Sequence, residues 1–137
     1  MASNNGVFIT DHLKHMIRKY AANPDAFFLN GDGNINLAHI DRLIGQFIDT
    51  NPKSNVRSGQ ARIRGTRRTV CDIIVDTWFQ AEIPEGGVPK AYLLGQQYPD
   101  LPPEAIDAAY AFLMRNHDRI ARECETSFGH ALPKDLY

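Results

Sequence analysis

The run Gly59-Gln-Ala-Arg-Ile-Arg-Gly-Thr-Arg-Arg-Thr-Val-Cys-Asp72 decides how this chain is read. Between Ala61 and Val70 the residues alternate around a glycine, which predicts a short hairpin or an extended arm. Gly65 suits a position of positive φ, and the Thr66 hydroxyl suits closure of the turn. Thr69, followed three residues later by Asp72, forms a capping box in its aspartate version. A helix is therefore expected from Val70 to about Ala81, with Ile73, Ile74, Thr77, Trp78 and Ala81 facing inward.

Downstream, Pro84-Glu-Gly-Gly87 reads as a loop, and Pro89 suits the first turn of a helix carrying Tyr92, Leu93 and Gln96 that stops at Tyr98-Pro99. A further helix is expected from Pro103. Its apolar positions are Ile106, Ala109, Tyr110, Leu113, Ile120, Ala121 and Cys124, with His117 at the missing step, so it extends past a three-helix core. Upstream, Thr10-Asp11 caps a helix with the face Leu13, Met16, Ile17 and Tyr20, which Asn23-Pro24 ends. Asn36 is the expected N-cap of a second amphipathic helix with Leu37, Ile40, Leu43, Ile44, Phe47 and Ile48 on its apolar side, stopped by Asn51-Pro52. Neither helix buries its stripe alone, so they pack on each other or on the rest of the chain. The division expected is an N-terminal helical region over 1–52, a domain with a basic arm over 53–126, and an irregular tail over 127–137.

The pieces Ile63-Arg-Gly-Thr-Arg67, Val70, Ile73-Ile74, Tyr98-Pro-Asp-Leu101, Glu104-Ala-Ile106 and Ala108-Ala-Tyr-Ala111 resemble, in order and spacing, the family called domain of unknown function 433, or DUF433. The resemblance runs from about Ser58 to Phe112; Ile83-Pro-Glu-Gly-Gly87 is longer than the family's usual turn, and the N-terminal helices lie outside it. It implies a mainly α fold, a homeodomain-like three-helix (helix-turn-helix) domain with a hairpin or arm in front, here preceded by two amphipathic helices. It also implies likeness to VapB-type antitoxins, which are encoded beside a PIN-like ribonuclease toxin, bind operator DNA and block that toxin.

Charge is unevenly spread along the chain. Its formal net charge is −1, yet residues 51–70 hold six Lys or Arg and no acid, whereas residues 71–137 hold five bases against eleven acids. Arg57, Arg62, Arg64, Arg67 and Arg68 form an expected DNA-contacting arm, because guanidinium forks match phosphates and guanine edges. For Arg67 a bracing role against an acid of the domain is favoured. For Arg62, Arg64 and Arg68, a solvated face explains the charge as well as DNA does. The helix after Pro103 would be the reading helix, with Glu104, Asp107, Ala108, Ala111 and Arg115 outward. Carboxylates suit its N-terminal dipole but repel phosphates, so a structural or dimer role fits it better than strong base reading.

Other chemistries find no pattern. Asn30-Gly-Asp-Gly-Asn-Ile-Asn36 has the look of a calcium loop, but Phe28 and His39 fall where acidic ligands belong, so a polar turn is expected. His12 and His15 share a helix edge without a third ligand. No catalytic motif is present, and no metal or cofactor is expected. Cys71 and Cys124 are far apart in sequence and match no zinc spacing, which suggests separate thiols in a reducing, cytoplasmic setting with no membrane segment. The functional expectation is an antitoxin-like or regulatory DNA-binding protein, homodimeric, that also takes a protein partner such as a PIN-like ribonuclease toxin. The alternative is a protein-interaction module of the same fold that does not bind DNA.

Overall fold

A computed structural model describes residues 7–29, 34–53, 55, 59–81 and 98–128, without the side chains of 78–81 and 127–128. Among these residues the fold is mainly helical with one two-stranded sheet. Helix α1 spans Asp11–Tyr20, opened by Thr10, whose Oγ1 accepts the Leu13 N–H at 3.0 Å. Its buried face is Leu13, Met16, Ile17 and Tyr20. The helix stops at Ala21, before Asn23-Pro24, and Pro24 instead opens a short 3-10 turn over Pro24–Phe27. Helix α2 spans Leu37–Phe47, and the Asn36 side chain caps it by accepting from His39 N–H.

Ile48 does not continue that helix. It begins strand β1 (Ile48–Asp49), which pairs antiparallel with β2 (Arg62–Ile63) in the register Ile48–Ile63 and Asp49–Arg62. Arg62 bridges Thr69 on its other side, and the N–H groups of Ile63 and Val70 donate to the carbonyls of Arg68 and Ala61. The hairpin-like turn is therefore anchored to the N-terminal region rather than projecting from the body as an arm. Helix α3 follows over Val70–Ala81. Its capping box is complete: Thr69 N–H donates to Asp72 Oδ2 at 3.2 Å, and Asp72 N–H donates to Thr69 Oγ1 at 2.9 Å. The expected helix over 89–98 falls, up to residue 97, outside the described residues, as does the 84–87 loop.

Helix α4 spans Pro103–Arg115 and is the centre of the structure. Every residue from Ala105 to Met114 is buried, which is the signature of a helix covered on all sides. It packs most extensively on α2, with α3, α1, β1 and the last helix around the remainder. This corrects the outward placement of Asp107, Ala108 and Ala111: the periodicity assumed one buried face, but α1 and α2 cover the other. Alanines at 105, 108, 109 and 111 keep α4 narrow enough for neighbours on every side.

The long final helix is also corrected. Asn116 leaves the helical region (φ −135°, ψ 45°), and helix α5 starts afresh over His117–Phe128. Asn116 N–H still closes on Phe112 O, while its carbonyl accepts Ile120 N–H, so one residue ends α4 and begins α5. Asparagine tolerates this because it competes poorly for helix interiors. Ile120 and Cys124 turn back onto the chain and are buried there. Cys124 is disulfide-bonded to Cys71 across 53 residues, which overturns the expectation of two separate thiols. No described helix is long and apolar enough to cross a membrane.

Candidate nucleic-acid interface

The arginines were expected to act together, so the turn that carries most of them sets the geometry. Gly65 has φ 77°, and a Cβ there would meet nothing within 4 Å, so its requirement is conformational. Thr66 closes the turn with both its N–H and its hydroxyl donating to Ile63 O, at 3.1 and 2.9 Å, while its Oγ1 accepts Arg68 N–H at 3.0 Å. Arg64 N–H donates to Phe47 O at 2.8 Å, which ties the turn to the end of α2.

On this frame the side chains part company. Arg62 turns inward: one guanidinium nitrogen donates to Asp49 Oδ2 at 2.8 Å and another to Thr66 O at 2.9 Å, leaving the side chain 14% exposed. Arg68 reaches Asp100 at 3.1 Å and lies over the Tyr98 ring, 4.8 Å from its centroid. Arg115, on α4, clasps Asp41 of α2 through two bonds of 2.9 and 2.8 Å. These bonds hold the carboxyls of Asp100 and Asp41 below their ordinary range, chiefly through hydrogen bonding from Arg68 and Arg115 respectively, and raise Arg115. Arg64 and Arg67 are exposed, and Arg64 makes one long contact of 3.4 Å to Gly45 O. Arg57 lies outside the described residues.

A cleft of about 680 Å³ opens beside the turn. It is lined by Arg62, Thr66, Arg67, Arg68, Asp72 and Asp100. Three guanidiniums and two carboxylates balance to a small net charge, so the cleft focuses little field on a polyanion. The acids that pair with Arg62, Arg68 and Arg115 sit 13, 32 and 74 residues from their partners, and no local signal announces them. Sequence reasoning also missed the part played by Asp107. It is wholly buried on α4, where its carboxylate oxygens accept the N–H groups of Ala22 at 2.6 Å and Asn23 at 3.0 Å. Two amides left unpaired where the chain leaves α1 are thereby satisfied by the helix expected to read DNA. Among the described residues, no group of three His, Cys, Asp or Glu is gathered as a metal site would require.

A DUF433 member protein from Anabaena variabilis, known from its crystal structure, is 30% identical to this chain. The match covers 64% of this chain and 76% of that one, with a TM-score of 0.44. This chain belongs to the DUF433 family. Membership rests on the identity and the share covered, since a superposition at that TM-score carries no argument. No family model matches this DUF433 protein, and no curated protein matches it. The match of this DUF433 chain to its relative brings no activity with it.

Proposed function

We propose that this DUF433 protein is a protein-interaction module of helix-turn-helix descent, antitoxin-like in its use of a protein partner, in which the reading helix is not available to DNA. The observation that carries this reading is the burial of α4 from Ala105 to Met114, including Asp107. A recognition helix must lay an exposed face in the major groove, and here α1, α2 and α3 occupy the surroundings of that helix. The pairing of Arg62, Arg68 and Arg115 with Asp49, Asp100 and Asp41 supports the same conclusion. A homodimer belongs to this proposal, although the stripe through Ile120 and Cys124 that suggested it is used inside the chain.

Fluorescence anisotropy with labelled duplex at low salt tests the proposal, and titration with a neighbour-encoded PIN-like ribonuclease followed by light scattering tests its partner. The expected results are no sequence-dependent duplex binding and a stoichiometric protein complex. Specific duplex binding, lost on substitution within α4 while the fold persists, would overturn it.

One observation favours a second reading: Arg64 and Arg67 stand exposed on a braced turn, close in sequence to Arg57. That arrangement suits contacts with the phosphates of an operator-like duplex without base reading. Replacing Arg64 and Arg67 with Ala would then flatten the salt dependence of binding by about two units of slope, at roughly 0.9 per phosphate.

A further inference from the structure

We propose that the Cys71–Cys124 disulfide is a redox latch that determines whether α5 stays closed on the body. It does not depend on the functional reading above. Four observations support it. Cys71 lies in the first turn of α3 at 0% exposure, and Cys124 lies on α5 at 2%. The bond therefore joins two helices across a packed interface, with 53 residues between its ends and 5.6 Å between its Cα atoms. Asn116 interrupts the helix just before α5, so α5 is a separate lever with a natural hinge. Its apolar attachment apart from the bond is small: Ile120 is buried, Ala121 is partly buried and His117 stacks on Phe8 at 3.9 Å, while the other described side chains of 118–126 are charged or polar.

What the lever holds is well defined. Arg119 donates to Thr50 O at 3.0 Å and to Gly59 O at 3.2 Å, and it is steadied by Glu123 at 2.8 Å. Glu123 in turn accepts the Ala61 N–H at 3.1 Å. Closed, α5 clasps the connection between β1 and β2 at both its ends, at the base of the arginine-bearing turn. Opened, it frees Gly59 O, Ala61 N–H and the α3 surface around Cys71. A helix with so few apolar anchors opens locally at much lower cost than the whole fold.

The chemistry is thiol–disulfide exchange with a dithiol reductant. The reductant's thiolate bonds to Cys124 Sγ, the S–S bond breaks, and its electron pair leaves on Cys71 Sγ, which takes up a proton. The reductant's second thiol then attacks the mixed disulfide, Cys124 leaves as a thiolate and is protonated, and the reductant departs as an internal disulfide. Two electrons have passed to the protein. Since both sulfurs are buried, exchange requires α5 to open first, so attack waits on the motion that the bond restrains.

The full chain should be compared after oxidation with oxidised glutathione and after reduction with dithiothreitol, without denaturant. Mass spectrometry after alkylation should find no free thiols in the first and two in the second. Amide hydrogen exchange should be roughly tenfold faster over 117–126 and at Ala61 after reduction, with 105–114 unchanged. Reoxidation should restore protection, and both Cys71→Ser and Cys124→Ser should exchange like the reduced protein whether or not reductant is present. Equal protection of 117–126 in both redox states would overturn the latch, as would failure of the thiols to pair under glutathione. Loss of protection over 105–114 on reduction would also overturn it, because the bond would then be a staple for the whole fold.

Discussion

Asp107 and Ala22, 85 residues apart, are joined by a 2.6 Å hydrogen bond from the Ala22 amide to the Asp107 carboxylate. With the Asn23 amide on the other oxygen, this carboxylate ties the central helix to the segment that leaves α1. A carboxyl group wholly removed from water is tolerated only when its oxygens are hydrogen-bonded, so the pairing is a condition of the fold. Asp107→Ala leaves both amides without their acceptor and should cost about 2–4 kcal/mol of unfolding free energy. Asp107→Asn, which keeps one acceptor oxygen, should cost less. Urea denaturation ranks the two variants. A neutral Asp107→Ala would mean that the residue faces solvent after all.

Tyr110 presents a second buried polar contact, its hydroxyl donating to Thr77 Oγ1 at 2.5 Å between α4 and α3. Burial raises the Tyr110 pKa, so the phenol stays neutral. The Thr77 hydroxyl in turn donates a hydrogen bond shared between the carbonyls of Ile73 and Ile74. The two ends should therefore respond unequally. Tyr110→Phe leaves Thr77 still bonded and should cost about 1 kcal/mol, whereas Thr77→Val strands the phenol and should cost about 2 kcal/mol. Chemical denaturation of the two variants and their double mutant measures the difference.

Much of the fold was legible because its signals are local. The caps Thr10, Asn36 and Thr69–Asp72 each satisfy an amide within three residues, and each is where its residue type suggests. The turn at Gly65-Thr66 is equally local. Periodicity failed at α4 because a helix covered on all sides has no polar face to subtract, and Asp107 and the alanines passed for one. It failed again at Asn116, where Ile120 and Cys124 keep the helical spacing across a break in the helix. The candidate interface was readable as a cluster of arginines but not as a balance of charge. Asp49, Asp100 and Asp41 come to Arg62, Arg68 and Arg115 only through tertiary packing. The Cys71–Cys124 bond was hidden for the same reason, since it crosses from α3 to α5.

Two groups make stability fall as pH drops, each in its own window. Arg115 holds the Asp41 carboxyl below its ordinary value, so that pair's contribution is complete above the usual carboxyl pKa, near 3.8, and is lost as pH falls through the folded value. The pair is largely exposed, and Asp41→Asn should cost below about 1 kcal/mol at neutral pH and make the acid limb shallower. His39 acts in the same direction but at higher pH. Burial lowers its pKa, with Arg42 adding to the effect and Glu104 opposing it. The neutral ring is favoured in the fold, so stability should begin to fall as pH drops through the ordinary histidine value, near 6.5. His39→Gln should remove that decline and leave the Asp41 step at lower pH in place. Thermal melts from pH 7.5 to 3 separate the two windows.

Two glycines share a backbone conformation and differ in surroundings, which yields a paired test. Gly59 has φ +79° and Gly65 has φ +77°, so a side chain at either is strained. At Gly65 a Cβ would meet nothing, and Gly65→Ala should cost about 1 kcal/mol, with Gly65→Asn milder because asparagine tolerates the left-handed region. At Gly59 the same atom would fall 2.1 Å from Pro52 O, which is backbone and has little room to move. Gly59 O also receives Arg119, so a shift there disturbs the clasp made by α5. Gly59→Ala should therefore cost clearly more, about 3 kcal/mol or above, in the range of strain combined with overpacking. Equal losses in thermal denaturation would show that backbone conformation alone governs both positions, and that the approach of Pro52 to Gly59 contributes nothing.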